Sequence, residues 1–427
     1  MSEVELTIQR LVAGGDGLGF QAGSAVFVPY AAPGERLRVR LTHVGRHYQR
    51  GEVIAVLDPG PDRIDPLCPL YGRCGGCQLQ HINPQARQQA KHGFVLEALQ
   101  RLGRVTNAAE LTGALRPSPC ETGYRHRASF KVRCIQGNTL LGFFAPGSHR
   151  LVDVPHCPIL HPALDALLTP LRQVLQQLTA PDRLPQVDGV QGENGTALTL
   201  HHLAPLAKAD RDRLRGFARE QGLLQFWLQS GRKHTLSPLL PGPDPLYALA
   251  GMTLRFRPGE FTQANLVQNR HLVAQALAWA GSGHRAVDLF CGIGNFTLPL
   301  GRCYASVTGV EGYGPASARG QENARANQMD TLNFRQLSLD GHHPLDIPEL
   351  AGADLCLVNP PRTGARAVMA SLGHVQVDRV IYVSCDPATF ARDAAHLIHN
   401  GYRLEHIQPF DMLPLTHHVE TVALFRR

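Results

Sequence analysis

The sequence predicts a multidomain protein of β and α/β class. A small all-β barrel spans residues 1–58, an α+β region with a cysteine loop spans 59–258, and an open, mostly parallel sheet wound with helices spans 259–427. Three observations predict this. Short runs of alternating apolar and polar residues fill the first 58 positions, three cysteines crowd a Pro- and Gly-rich loop, and the last third alternates strand-length apolar runs with helical patterns.

At 427 residues the chain exceeds one ordinary core, and its 43% hydrophobic content is that of a globular protein. The net charge of +7, carried almost entirely by Arg, points to a polyanionic partner. No basic segment followed by an apolar run opens the chain, and no stretch approaches about 20 apolar residues, so a cytoplasmic protein without a membrane span is expected. In a reducing compartment ten cysteines indicate metal or catalysis rather than a disulfide framework.

In the amino-terminal part the strand runs are VELTIQRLV, SAVFVPYA, ERLRVRLTHV and EVIAVLD, separated by glycine-rich turns such as Gly14-Gly15-Asp16-Gly17. This is the pattern of an oligonucleotide-binding type of barrel. Between Arg36 and Arg50 stand five arginines with His43, His47 and Tyr48 and no carboxylate. A solvated edge hairpin would look the same, but a basic β surface bearing an aromatic is also what single-stranded RNA requires.

The loop CPLYGRCGGCQLQH sets Cys68, Cys74 and Cys77 close together, and Cys157, between Pro155 and Pro158, is the best fourth thiolate; Cys120 and Cys134 are weaker candidates. Four thiolates suit a structural zinc or an iron-sulfur cluster, and the spacing does not choose. A helix is predicted over Pro84–Leu102 and another over Ala163–Leu178, with strands at Thr196–His201 and Leu223–Gln229 and a Pro-rich linker at Leu239–Pro245. The stretch Gly123–Arg150 mixes Arg and Lys with aromatics and no acid, which suggests a second RNA-facing surface.

Beyond the linker, a helix over Asn265–Ala280 precedes a strand, His284–Phe290, that runs into Asp288-Leu-Phe-Cys-Gly292-Ile-Gly294-Asn295. Next comes a strand ending in Glu311, positioned for a ribose diol. Later strands end at Asn359 and at Cys385. Open parallel sheets bind ligands at the carboxyl ends of their strands, so these residues converge on one crevice. An isolated cysteine after an apolar run is ordinarily a small buried hydrophobe. The convergence makes Cys385 a nucleophile candidate instead. With Asp386 as N-cap and Pro387 opening a helix, the helix field is expected to favour its thiolate, although Asp386 opposes this.

With these residues in hand the chain resembles the RNA 5-methyluridine methyltransferases, which depend on S-adenosylmethionine. The barrel is similar to their TRAM domain, CPLYGRCGGCQLQH with Cys157 to their 4Fe-4S site, and DLFCGIGNFTLPL to their cofactor loop in a Rossmann-like class I methyltransferase domain; FTQAN, NPPRTG, SCDPATFARD and PLTHHVETVALFRR follow in order. The resemblance implies a 4Fe-4S cluster on Cys68, Cys74, Cys77 and Cys157. It implies that Gln263, Phe290, Asn295, Glu311 and Ser338 hold the cofactor, with Asn359 serving cofactor or target base. It also implies Cys385 as nucleophile, Glu420 as general base and Phe261 as the aromatic stacking near a flipped uridine. A monomer acting on 23S rRNA is expected, because barrel and cluster together resemble the ribosomal members; a tRNA uridine C5-methyltransferase is the alternative. Methylation of an exocyclic amine is disfavoured because Arg362, not an aromatic, follows Asn-Pro-Pro. An iron-sulfur RNA-binding chaperone without catalysis is disfavoured by the intact Cys385 and Glu420.

Overall fold

The computed structural model describes residues 2–232, 235–341 and 346–427. Strands β1 (Glu3–Leu11), β2 (Gly17–Gln21), β3 (Ser24–Val28), β4 (Arg36–Val44) and β5 (Gln49–Asp58) close a barrel in the order β1-β2-β3-β5-β4. Alternate residues, among them Leu6, Ile8, Val26, Val28, Leu37 and Val39, fill its interior. Strand β2 falls where the sequence suggested only a glycine-rich turn. Its glycines are required by packing: a Cβ at Gly19 would lie 2.6 Å from Leu6 Cδ1 and 2.8 Å from the Thr7 carbonyl. The barrel's basic strand also differs from expectation. Arg36 pairs with Glu5 and Asp58, Arg38 with Glu5, Arg40 with Glu3 and Glu52, and Arg50 with Asp16. The carboxylates absent from the segment come from its neighbours in space.

Helix α1 (Pro84–Arg101) starts at Asn83, whose side chain accepts from the Ala86 N–H at 2.8 Å, with Pro84 next. It is followed by α2 (Ala108–Leu111). The central sheet comprises β6 (Arg127–Ile135), β7 (Asn138–Phe144), β8 (Leu151–Asp153), β9 (Gln186–Gly192), β10 (Gly195–His201), β11 (Gln225–Gln229) and β12 (Leu236–Leu240), in the order β12-β11-β10-β9-β6-β7-β8. Helices α3 (Pro162–Asp165), α4 (Leu168–Gln176) and α5 (Lys208–Glu220) belong to the same region. The single helix expected over Ala163–Leu178 is split because Pro170 has no N–H to give the Ala166 carbonyl and its ring would clash there. The expected linker begins later than Leu239, since Leu239 and Leu240 close β12.

The carboxyl-terminal part contains the hairpin β13 (Leu246–Leu249) and β14 (Met252–Arg255), then α6 (Leu266–Ala280), β15 (Gly283–Leu289), α7 (Thr297–Leu300), β16 (Tyr304–Glu311), α8 (Gly314–Ala326), β17 (Leu332–Gln336), β18 (Leu355–Val358), α9 (Arg366–Leu372), β19 (Arg379–Ser384), α10 (Pro387–His399), β20 (Arg403–Phe410) and β21 (Glu420–Arg426). Its sheet runs β17-β16-β15-β18-β19-β21-β20; the first five strands are parallel and β21 is antiparallel to both neighbours. Helices α6 and α8 and the β13–β14 hairpin cover one face, and α1, α9 and α10 the other. Chain order reverses between β15 and β18, which opens a crevice above their carboxyl ends.

Helix α1 is tied to the segment joining β20 to β21 by a buried ion pair. Lys91 Nζ lies 2.5 Å from Asp411 Oδ1 and donates to the Leu413 carbonyl at 3.0 Å; the two side chains are 0% and 5% exposed. Burial lowers the Lys91 pKa and raises that of Asp411 against their mutual attraction. Lys91→Ala strands a buried carboxylate and is expected to cost roughly 3–5 kcal/mol, whereas Lys91→Met combined with Asp411→Leu recovers most of that loss. Denaturant unfolding of the three proteins measures this, and equal stability of the single and double variants would refute it.

Candidate active site

The crevice is built from strand ends. Beyond β15, Phe290 adopts φ +63°, a left-handed conformation that costs a bulky residue on the order of 1–3 kcal/mol. Gly292 and Gly294 follow at φ +55° and +97°. The turn is held from β16. The Cys291 N–H donates to the Val310 carbonyl at 3.1 Å, and the Gly292 N–H to Glu311 Oε2 at 3.0 Å, while Glu311 Oε1 accepts from the Tyr313 N–H at 2.8 Å. The Leu337 N–H reaches the Glu311 carbonyl at 3.0 Å, which brings the exposed Ser338 beside Glu311, and the Asn359 N–H reaches the Leu289 carbonyl at 3.2 Å. Phe290, Glu311, Ser338 and Asn359 therefore share one rim.

Asn295 departs from that group. Its amide exchanges hydrogen bonds with Asn269 at 2.8 and 3.1 Å and accepts from the Tyr247 hydroxyl at 3.0 Å, so the side chain is committed to α6 and the β13–β14 hairpin. Asp288 was not singled out from sequence, yet it is fully buried. One oxygen accepts from the Thr297 hydroxyl at 2.6 Å and the other, Oδ1, has no partner among the described residues. Burial above all pushes its pKa up to about 7, with Glu311 adding to the rise and Thr297 opposing it. Its place within DLFCG is the signal that could have found it.

Phe261 is 65% exposed, with the Arg127 guanidinium of β6 5.8 Å from its ring centroid. Half-buried Gln263 follows, and Asn265 caps α6 by accepting from the Gln268 N–H at 3.0 Å. The Arg127 side chain also donates to the Glu260 carbonyl at 2.6 Å, so the central sheet contributes to the mouth of the crevice.

Cys385 and Glu420 meet through sheet register. The β19–β21 ladder ends at Ser384 opposite Thr421, and one step further sets Cys385 opposite Glu420. The Glu420 side chain is buried, and burial pushes its pKa up to about 8, opposed by Arg362. The Cys385 thiol is pushed up to about 12 by burial first, then by Glu420, with Asp386 adding and Arg362 opposing. The thiolate-favouring helix field expected from sequence is thus outweighed. Asp386 itself occupies the α10 terminus, accepting from the Thr389 N–H at 2.9 Å, and brings its negative charge there. Arg362, on the exposed turn after Asn359, is the one cation that lowers both members of the pair. It donates to His418 Nε2 at 3.0 Å, and burial, His417 and Arg362 hold His418 neutral with a pKa near about 3.

Cys68, Cys74, Cys77 and Cys157 line one cavity of about 100 Å³, between the 68–80 loop and the loop after β8. The Gly75 N–H donates to the Phe144 carbonyl at 2.9 Å, which ties the first loop to β7, and the Cys157 N–H to Asp165 Oδ1 at 2.6 Å, which ties the second to α3. Burial pushes the Cys77 thiol up to about 11 and Cys157 up to about 12. Cys120 and Cys134 do not line the cavity. Among the described residues no group of three His, Cys, Asp or Glu could hold a single metal ion.

Among the described residues no helix is long and apolar enough to cross a membrane. The family model for tRNA (Uracil-5-)-methyltransferase matches residues 247–427, and that for the TRAM domain matches residues 1–54. A 23S rRNA (uracil(1939)-C(5))-methyltransferase of Pectobacterium atrosepticum is 40% identical over 98% of this chain and 93% of its own length. Its counterpart in Alkalilimnicola ehrlichii is 39% identical over 99% and 96%. The tRNA (uracil-54, C5)-methyltransferase of Pyrococcus abyssi, solved with S-adenosyl-L-homocysteine, is 21% identical and superposes with a TM-score of 0.77 over 99% of this chain and 100% of its own; it shares the fold. On its likeness to full-length relatives, the chain belongs to the RNA uracil-C5-methyltransferase family, with an amino-terminal TRAM domain.

Proposed function

We propose that this protein methylates C5 of a uridine in 23S rRNA, with Cys385 as nucleophile and Glu420 as base. The observation that carries the reading is the register that sets a thiol opposite a buried carboxylate at the edge of the crevice. Uracil C5 is a poor nucleophile. Addition of the Cys385 thiolate to C6 forms a C–S bond and moves the C5–C6 π electrons onto C5 and the O4 carbonyl, so C5 can accept a methyl group. S-adenosylmethionine, when bound, would supply that methyl as an electrophile, its S–CH3 bond breaking to leave the thioether S-adenosyl-L-homocysteine. Glu420 then takes the C5 proton, the electron pair returns to C5–C6, and Cys385 leaves as thiolate. Arg362 favours both anionic groups and so offsets the burial that disfavours them.

The crevice residues fit the cofactor. Glu311, at the end of β16, suits a ribose diol, the left-handed Phe290 and the glycines after it let a ligand approach the backbone, and the unpartnered Asp288 oxygen lies beneath that turn. Asn295 supports the cofactor loop through Asn269 rather than by direct contact. Phe261 stacks near the flipped uridine. RNA reaches it over β6 and β7, where, among the described residues, Arg125, Arg127, Lys131, Arg133 and Arg150 carry no ion pair, and Lys131 Nζ lies 5.6 Å from the Phe144 ring centroid. Such contacts offset the few kcal/mol that flipping costs.

The four cysteines suit a 4Fe-4S cluster. Each thiolate of such a cluster binds a different iron, so its ligands ring a cavity instead of meeting at one point. That is consistent with four thiols around one space and no single-ion site. We infer that protein purified without air carries iron and sulfide, and that Cys157→Ser lowers both along with the visible absorbance; unchanged iron would refute the ligand set.

With 5-fluorouridine RNA and S-adenosylmethionine the protein is expected to form a covalent adduct, because fluorine at C5 cannot leave as a proton does. Cys385→Ala abolishes the adduct and lowers turnover on the order of 10⁴-fold or more. Adduct formation by that variant would exclude the mechanism.

Turnover is expected to rise with pH through about 8, since Glu420 acts as base only above its raised pKa. Glu420→Gln loses on the order of 10²–10⁴ in turnover. It keeps fluorouridine trapping and shifts the pH profile of trapping downward, because one anion beside Cys385 is gone. An unshifted profile would separate the two groups. Nucleoside mapping of RNA from a strain lacking the gene identifies the substrate, and loss of 5-methyluridine from tRNA alone would refute 23S rRNA.

A further inference from the structure

The segment 411–419 joins β20 to β21 without regular structure and leads directly into Glu420. Its start is pinned by Lys91, and its middle rests on the cysteine loop. The Leu415 carbonyl accepts from both the Gln78 and Leu79 N–H groups, each at 3.1 Å. The Leu415 side chain is 1% exposed and packs with Cys77, Tyr124 and Ile159, with Cys157 at the edge of the same cluster. His417 Nδ1 lies 3.2 Å from Gln78 Oε1, and Gln78 Nε2 donates to the Gly75 carbonyl at 2.8 Å, inside the turn between Cys74 and Cys77. One residue further, His418 meets Arg362. Cys385 is fixed from a different direction, by β19 and the Asp386 cap of α10.

From this clasp we infer that Gln78 and Leu415 are positioning residues for Glu420, through which the cysteine loop governs the base. The inference rests on the reading of Glu420 as base. It assigns the cysteine centre a part in the second half of the reaction: a shift of the 68–80 loop moves Leu415 and His417, and with them the entry to β21. Addition of Cys385 and receipt of the methyl group use no residue of that segment as a reactant, whereas removal of the C5 proton depends on where the segment sets Glu420.

The test uses full-length Gln78→Ala and Leu415→Ala proteins purified with their metal centre. On uridine RNA with S-adenosylmethionine, turnover is expected to fall about tenfold or more and a methylated covalent protein–RNA adduct to build up on denaturing gels, because a base out of place slows proton removal. Trapping by 5-fluorouridine RNA, which needs no base, proceeds at no less than the parent's rate, since a displaced Glu420 puts less negative charge beside Cys385. Turnover equal to the parent's, or trapping and turnover falling together, would overturn the inference. If Leu415→Ala does not fold, Gln78→Ala decides alone, since its lost contacts all lie outside the thiols. Absence of trapping by the parent protein would instead refute the proposed function, so the two failures are distinguishable.

Discussion

The insertion of β21 between β19 and β20, antiparallel to both, is the constraint on which the site depends. Side chains alternate faces with a period of two, so slipping β21 by one residue would turn Glu420 to the opposite face of the sheet and set Val419 or Thr421 against Cys385. Register in a buried sheet is strongly specified, here by Val422, Leu424 and Phe425 on the two covered faces. The separation of Cys385 and Glu420 is thereby set by core packing, not by loop conformation.

That packing brings two groups of the same sign together in a place where charge is costly. Burial raises the pKa of both Cys385 and Glu420, and Arg362 is the one side chain that opposes it at both. Both groups therefore favour their protonated forms in the ligand-free site. Strain is stored nearby in the left-handed Phe290, over-determined by the Cys291 and Gly292 hydrogen bonds to β16. The glycine turn and the Cys385–Glu420 pair are thus both held by the strands of one sheet.

Most of this was legible in the chain itself. Strand ends at Glu311, Asn359 and Cys385, the Asp386-Pro387 cap and the glycine turn are local signals, and local signals survive folding because each reports its own backbone. What was not legible depended on partners distant in sequence. The arginines of β4 looked unneutralised because Glu3, Glu5, Glu52 and Asp58 lie on other strands. Gly17 looked like part of a turn, and Gly19 was not placed in a strand, because the side chains that exclude a Cβ there, Ile8 and Leu6, come from β1. The polarity of the Cys385 environment was misjudged because its burial and Glu420, which arrives from the end of the chain, are not local signals, whereas the opposing charge of Asp386 is.

The same distinction separates the two basic surfaces. On the barrel, arginine and carboxylate alternate across paired strands, and such exposed pairs add little to stability but cancel the field that would draw a polyanion. On β6 and β7 the cations are accompanied by aromatics and hydrogen-bonded to carbonyls and amides, which orient them without cancelling their charge. A phosphate backbone is held where charge is free, and a base is received where an aromatic is exposed beside it. Arg127 and Phe261 meet both conditions at the mouth of the crevice; on the barrel, Arg46 carries no ion pair among the described residues and stands beside the exposed Tyr48.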